Sequence, residues 1–145
     1  MQKNYINLIK ICVGAETVLD LHKWQEGRLI KSHSGTLCAN HLTRMRPKRK
    51  EVLNGGSIYW VFKGFILARQ QILSLEDKLG ADNIRRCLII LNTKIILTET
   101  KRKRPFQGWR YLDPCDAPKD LKVFSEKTPQ LPASLERGLF EIGVF

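Results

Sequence analysis

The sequence predicts an α+β domain: a mixed or antiparallel central sheet, or a small barrel, with flanking helices. Three observations predict it. Short runs rich in β-branched and aromatic residues, separated by turn residues, fill the middle of the chain. Helical spacing of apolar residues is clearest in one segment near the start and one at the end. The order strand, helix, strand, short helix, several strands, helices lacks the regular alternation of a parallel α/β sheet. A length of 145 residues, 43% of them hydrophobic, suits one packed domain. That domain is expected over 1–124, with 125–145 forming a linker and a C-terminal helix packed on it.

The elements follow in order. Residues 5–13 carry Ile6, Ile9, Ile11 and Val13 and read as a strand ended by Gly14. Residues 16–31 place Val18, Leu21, Trp24 or Gln25, and Leu29 near helical spacing, with Glu16 and Asp20 early and Arg28 and Lys31 late, as the helix dipole favours. Residues 37–45 look extended, with Leu42 as a core candidate. Pro47 suits the first turn of a short helix over 48–53, stopped by Asn54-Gly55-Gly56. Residues 57–63 are a strong strand: Ile58, Trp60 and Phe62 share one face and Ser57, Tyr59, Val61 and Lys63 the other, so bulk on both faces predicts a central position.

Residues 65–79 admit two readings. Phe65, Ala68, Ile72, Leu75 and Leu79 fit a helical stripe, but continuation of the strand through a bend at Gly64 fits too, and an extended first half is preferred. A turn at 80–83 precedes strands at 87–91 and 94–100. After a linker at 125–132 containing Pro129 and Pro132, residues 134–142 read as a terminal helix through Leu135, Leu139 and Ile142.

Charge narrows the function classes. The net charge is +11, and residues 41–110 alone carry a net +11. Two clusters dominate: Arg44, Arg46, Lys48, Arg49 and Lys50, and Lys101 to Arg104 followed by Arg110. Clustered cations attract polyanions by releasing counterions, and RNA or DNA is the common polyanion. No apolar run approaches the ~18 residues of a membrane span, and the N-terminus does not resemble a signal peptide.

Catalytic and metal motifs are sparse. The cysteines at 12, 38, 87 and 115 form no Cys-x-x-Cys pair. Cys12 and Cys87 lie in apolar runs and are expected in the core. Cys38 and His41 have a metal-like spacing, with His22 and His33 nearby, but two ligands make a weak signal; no metal or cofactor is assigned. Walker, dinucleotide and nucleophile-elbow patterns are absent.

Several strings carry resemblances. Lys10-Ile11-Cys12-Val13-Gly14, His41-Leu42-Thr43-Arg44-Met45-Arg46-Pro47-Lys48-Arg49, Gly55-Gly56-Ser57-Ile58-Tyr59-Trp60-Val61-Phe62-Lys63-Gly64, Ala68-Arg69-Gln70 and Arg104-Pro105-Phe106-Gln107-Gly108-Trp109-Arg110-Tyr111-Leu112 resemble an uncharacterised family of bacterial proteins, domain of unknown function family 1489. The resemblance implies a bacterial, cytoplasmic protein and supplies no activity. Arg46 stands where an aromatic or apolar residue is expected in that family. Residues 43–64 (strand, proline-started helix, glycine stop, aromatic strand) also resemble the entry segment of PUA-like and ASCH-like barrels, a class with many RNA- or nucleobase-associated members. The ASCH glutamate-arginine pairing is missing.

The most suggestive segment, 102–111, interleaves Arg102, Lys103, Arg104 and Arg110 with Phe106, Gln107, Trp109 and Tyr111. Arginine pairs with phosphate and aromatic rings stack on bases; the competing reading has Phe106 and Trp109 plugging the core. The expected nucleic-acid-binding set is Arg44, Lys48, Arg49, Lys63, Arg69, Gln70, Arg102, Arg104, Gln107, Trp109, Arg110 and Tyr111. Lys63 and Arg69, polar residues inside apolar runs, need either a bound anion or an ion pair with Glu76, Asp77 or Glu99. Three functions compete. The first is an RNA- or other nucleic-acid-binding domain with a basic, aromatic-lined face. The second is a small enzyme acting on a phosphorylated or nucleotide-like substrate, with His41 or Asp116 as acid/base and Arg44, Arg104 and Arg110 as an anion clamp; it requires a concave pocket lined by His41 or Asp116. The third is a module recognising an acidic protein partner.

Overall fold

The computed structural model describes residues 4–32 and 34–125. The expected linker after Ser125 and the terminal helix at 134–142 lie outside the described residues, as does His33. Strands dominate what is described: 47% strand against 13% helix. The expected mixed central sheet with a flanking helix is present, but among the described residues strands outweigh helix and there is one α-helix.

Nine strands form one mixed sheet: β1 (Asn7–Ile11), β2 (Ile30–Lys31), β3 (Leu37–Thr43), β4 (Ser57–Phe62), β5 (Phe65–Leu79), β6 (Arg85–Leu91), β7 (Ile96–Arg102), β8 (Trp109–Leu112) and β9 (Asp120–Val123). The main order is β2-β3-β6-β5-β4-β1-β8, with β7 pairing β5 and β9 pairing β7. Among the described residues only β1 and β4 pair in parallel.

Strand β4 is central because both its faces are apolar. Ile58, Trp60 and Phe62 join the main core with Leu8, Leu21, Val52, Ile72, Ile89 and Leu91. Tyr59 and Val61 form a second core with Ile9, Ile66 and Leu112, covered by Phe106 and Ala117. The inner face is the one carrying Trp60, the outer face the one carrying Tyr59.

The 65–79 segment is a single 15-residue strand. Its helix-like stripe has a physical origin. Against β4 the register shifts between Ile66 and Ala68, and against β6 between Ile72 and Ser74, so an extra residue enters β5 at each place. Each insertion interrupts the two-residue alternation, and Phe65, Ala68, Ile72 and Leu75 reach the core at spacings that imitate a helix. The bulged strand pairs its first half with β4 and β7 and its second half with β6.

The curled sheet is open. No hydrogen-bonded strand pair joins the β2–β3 side to β8 among the described residues, so the expected PUA-like barrel is not closed. The segment after β3 instead reaches β8 through side-chain bonds described below. Helix α1 (Val18–Glu26) begins at a capping box: Thr17 Oγ1 accepts from the Asp20 N–H, and Asp20 Oδ2 accepts from the Thr17 N–H. It buries Val18, Leu21 and Gln25. Two further expectations need correction. Leu42 is exposed, because its neighbour His41 takes the inner face, paired in register with core residue Ile89. Pro47 is buried ahead of a 3-10 turn (Lys50–Leu53) and does not start a helix.

Candidate nucleic-acid interface and an adjoining cavity

The alternation of β8 decides what its aromatic residues do. In register with β1, Trp109 lies beside Lys10 and Tyr111 beside Leu8 on the inner face, whereas Arg110 lies beside Ile9 on the outer face. The inner pair reaches the segment after β3. Trp109 Nε1 donates to the Met45 carbonyl at 2.7 Å. The Lys48 and Arg49 backbone N–H groups donate to Tyr111 Oη at 2.9 and 3.0 Å. The Arg49 guanidinium lies over the Tyr111 ring at 5.5 Å, and the two aromatic rings meet edge-on at 4.9 Å. These contacts fasten the first basic cluster to the strand that follows the second. Both rings are half-buried, so they act as fasteners and not as open stacking platforms.

One end of the sheet collects the rest. β1 and β4 run in parallel and finish together; β8 starts beside Lys10; β7 finishes with Arg102 paired to Phe65. Lys63 and Gly64, at φ 48 and 90°, make the two-residue turn between β4 and β5, and the Lys103 N–H donates to the Gly64 carbonyl at 2.8 Å. Residues 44–45, 63 and 102–110 thus gather at this end, although they are remote in the chain. Lys48 and Arg49 lie farther along β8 at Tyr111, and the turn after them reaches the start of β1, where the Ile6 N–H donates to the Glu51 carbonyl.

Not all the expected cations are free. Lys63 pairs with Glu16 at 2.8 Å, Arg49 with Glu51 at 2.9 Å and Arg46 with Asp77 at 2.8 Å. Arg69, on the outer face, donates twice to Asp120 at 2.7 and 2.8 Å and once to Ser57 Oγ at 2.7 Å. Ion pairs therefore account for Lys63 and Arg69, through Glu16 and Asp120 instead of the carboxylates expected. Gln70 is fully buried: it exchanges two hydrogen bonds with Gln25, accepts from Trp60 Nε1 and donates to the Asn92 carbonyl. Burial removes it from the binding set. Arg44, Lys48, Lys50, Arg102, Lys103, Arg104 and Arg110 enter no ion pair among the described residues. Of these, Arg110 lies over the Phe106 ring at 5.5 Å on the outer side. Gln107 is exposed in the same loop.

A cavity of about 490 Å³ opens at this end on the inner face, lined chiefly by Lys10, Cys12, Trp24, His41 and Trp60 with the 11–15 loop. Sequence reasoning missed Lys10 and Trp24, and took Cys12 only as core. The signal was present: Ile6, Leu8, Lys10 and Cys12 alternate, so Lys10 faces inward, and the paired register sets it between Trp109 and Trp60. His41 meets Trp60 edge-on at 5.4 Å, and its Nε2 is buried without a hydrogen-bond partner. Burial, reinforced by Lys10, pushes the His41 pKa down to about 4. Burial lowers that of Lys10 and drives the Cys12 thiol up to about 12. Asp116 sits on a separate 3-10 turn (Pro114–Asp116), and its carbonyl accepts from Lys101 Nζ; it does not line this cavity. Cys38 and His41, three apart along β3, point to opposite faces and do not share a ligand.

Residues 8–145 match a family of proteins of unknown function, DUF1489. The chain belongs to that family. No curated protein and no solved structure matches it. Among the described residues no helix is long and apolar enough to cross a membrane.

Proposed function

We propose that the protein binds single-stranded nucleic acid, RNA foremost, across the basic end of its sheet, in a bacterial cytoplasm. One observation carries the reading: Trp109 and Tyr111 tie the 44–50 segment to β8, bringing cations without carboxylate partners from both clusters to one end of the molecule. Phosphates would sit against Arg44, Lys48, Arg102, Lys103 and Arg104. The expectation that Trp109 and Tyr111 stack directly on bases is replaced by a positioning role, because their polar atoms already hold backbone groups.

The test is fluorescence anisotropy with a labelled single-stranded RNA. Arg102→Gln combined with Arg104→Gln is expected to weaken binding about tenfold through lost phosphate contacts. Lys94→Gln removes an exposed charge just before β7, at the end of that strand opposite Arg102, and leaves affinity unchanged. Equal losses in both variants contradict a localised face.

The enzyme reading gains one point, since His41 lines a concave cavity. The groups there are poorly activated. A thiol held near 12 is protonated at neutral pH and is no nucleophile. An imidazole held near 4 is a weak base. The cavity is better suited to binding than to proton or acyl transfer.

A further inference from the structure

The cavity on the inner face lies apart from the side chains assigned above to phosphates. Its volume, about 490 Å³, lies in the range of small-ligand pockets. Its walls are largely flat or aliphatic: Trp60, Trp24, Leu21 and Val13. Trp24 and Val13 remain exposed at the rim, where a solvated surface would normally be polar. Lys23 and Asp20 on the same wall offset one another, and Asp20 Oδ2 already accepts from the Glu16 and Thr17 N–H groups. Two polar groups stand out. His41 Nε2 is buried and unpartnered, which costs free energy until something fills it. Lys10 is an inward-facing ammonium between two indoles, bonded among the described residues only to its neighbour's carbonyl, Ile11 O, at 3.2 Å. A flat, neutral ring with a carbonyl next to a ring N–H answers both: the carbonyl accepts from Lys10 and the N–H donates to the neutral His41 imidazole. Uracil and guanine have that edge; adenine has no carbonyl.

We propose that this cavity binds one unstacked nucleobase bearing a ring carbonyl, taken from the strand held on the basic rim. The proposal rests on the nucleic-acid reading for its source of bases. It gives the face a preference among sequences that phosphate contacts alone cannot supply.

The test follows the His41 ring nitrogens by NMR in the full-length protein during titration with uridine, guanosine, adenosine or ribose 5-phosphate. Uridine and guanosine are expected to shift Nε2 saturably at about millimolar concentration; adenosine and ribose 5-phosphate are expected not to. Lys10→Met keeps the side-chain stem and is expected to weaken uridine binding about tenfold, the size of one charge-assisted hydrogen bond. Trp24→Ala at the exposed rim provides a second variant and should weaken it as well. A His41 shift by ribose 5-phosphate equal to that by uridine overturns the proposal in favour of an anion site. Salt-dependent RNA binding that leaves His41 unmoved also overturns it, while the nucleic-acid reading stands. Uridine binding without any RNA binding at low salt overturns that reading and the strand-borne form of the proposal together.

Discussion

At Gly56 the constraint comes from neighbours. A Cβ there would lie 2.2 Å from the Ile6 carbonyl oxygen and 2.7 Å from that of Val52, both backbone atoms that cannot swing aside. Gly56→Ala is expected to cost about 3 kcal/mol of stability, at the upper end of overpacking effects, read as a lowered midpoint in urea. His41 makes stability depend on pH. Its ordinary pKa of 6.5 falls to about 4 in the fold. Below pH 6.5 the unfolded chain therefore takes up a proton that the folded protein refuses, and stability falls as pH drops toward 4. The contribution is at most about 3 kcal/mol. His41→Leu should flatten this part of the pH–stability curve, measured by denaturation at pH 7, 5.5 and 4.5; an unchanged slope would show that His41 takes up its proton in the fold at the same pH as in the unfolded chain.

At the scale of elements, the contact between the 44–49 segment and β8 decides whether the basic clusters act together. Tyr111→Phe removes no charge, yet it leaves the Lys48 and Arg49 N–H groups without their acceptor. A loss of about 1–2 kcal/mol in stability is expected, together with weaker RNA binding; unchanged affinity would mean that the segment needs no fastening. The β4–β5 turn offers a gain. Lys63 holds φ 48° beside Gly64 at 90°, and asparagine tolerates that geometry better than lysine. Lys63→Asn should raise the thermal midpoint slightly, although it forfeits the exposed pair with Glu16. Strand β4 was legible because it carries bulky residues on both faces, and α1 because Val18, Leu21 and Gln25 keep helical spacing with acidic residues early and basic ones late; the Thr17 cap that fixes its start was not read. Strand β5 was only half legible, since bulges at its interior erase the two-residue period on which recognition of strands depends. Leu42 misled for a related reason: one residue of register gives the inner face to His41 instead.

Over the whole molecule, the charge excess was readable from composition, but its neutralisation was not. Whether Arg69 meets Asp120, or Lys63 meets Glu16, depends on partners 51 and 47 positions away in the chain, and no local pattern carries that. The cavity escaped notice because its walls come from β1, α1, β3 and β4, each contributing residues that look like ordinary core. Family membership adds no chemistry to this picture. The central claim, that cations gathered at one end of the open sheet hold a nucleic-acid strand, is tested most directly by the salt dependence of RNA affinity. If about four phosphates are neutralised, the slope of log K against log salt is expected to be about −3 for a single strand, and to become shallower in the Arg102→Gln, Arg104→Gln protein. A slope near zero, or no binding at low salt, would contradict the account.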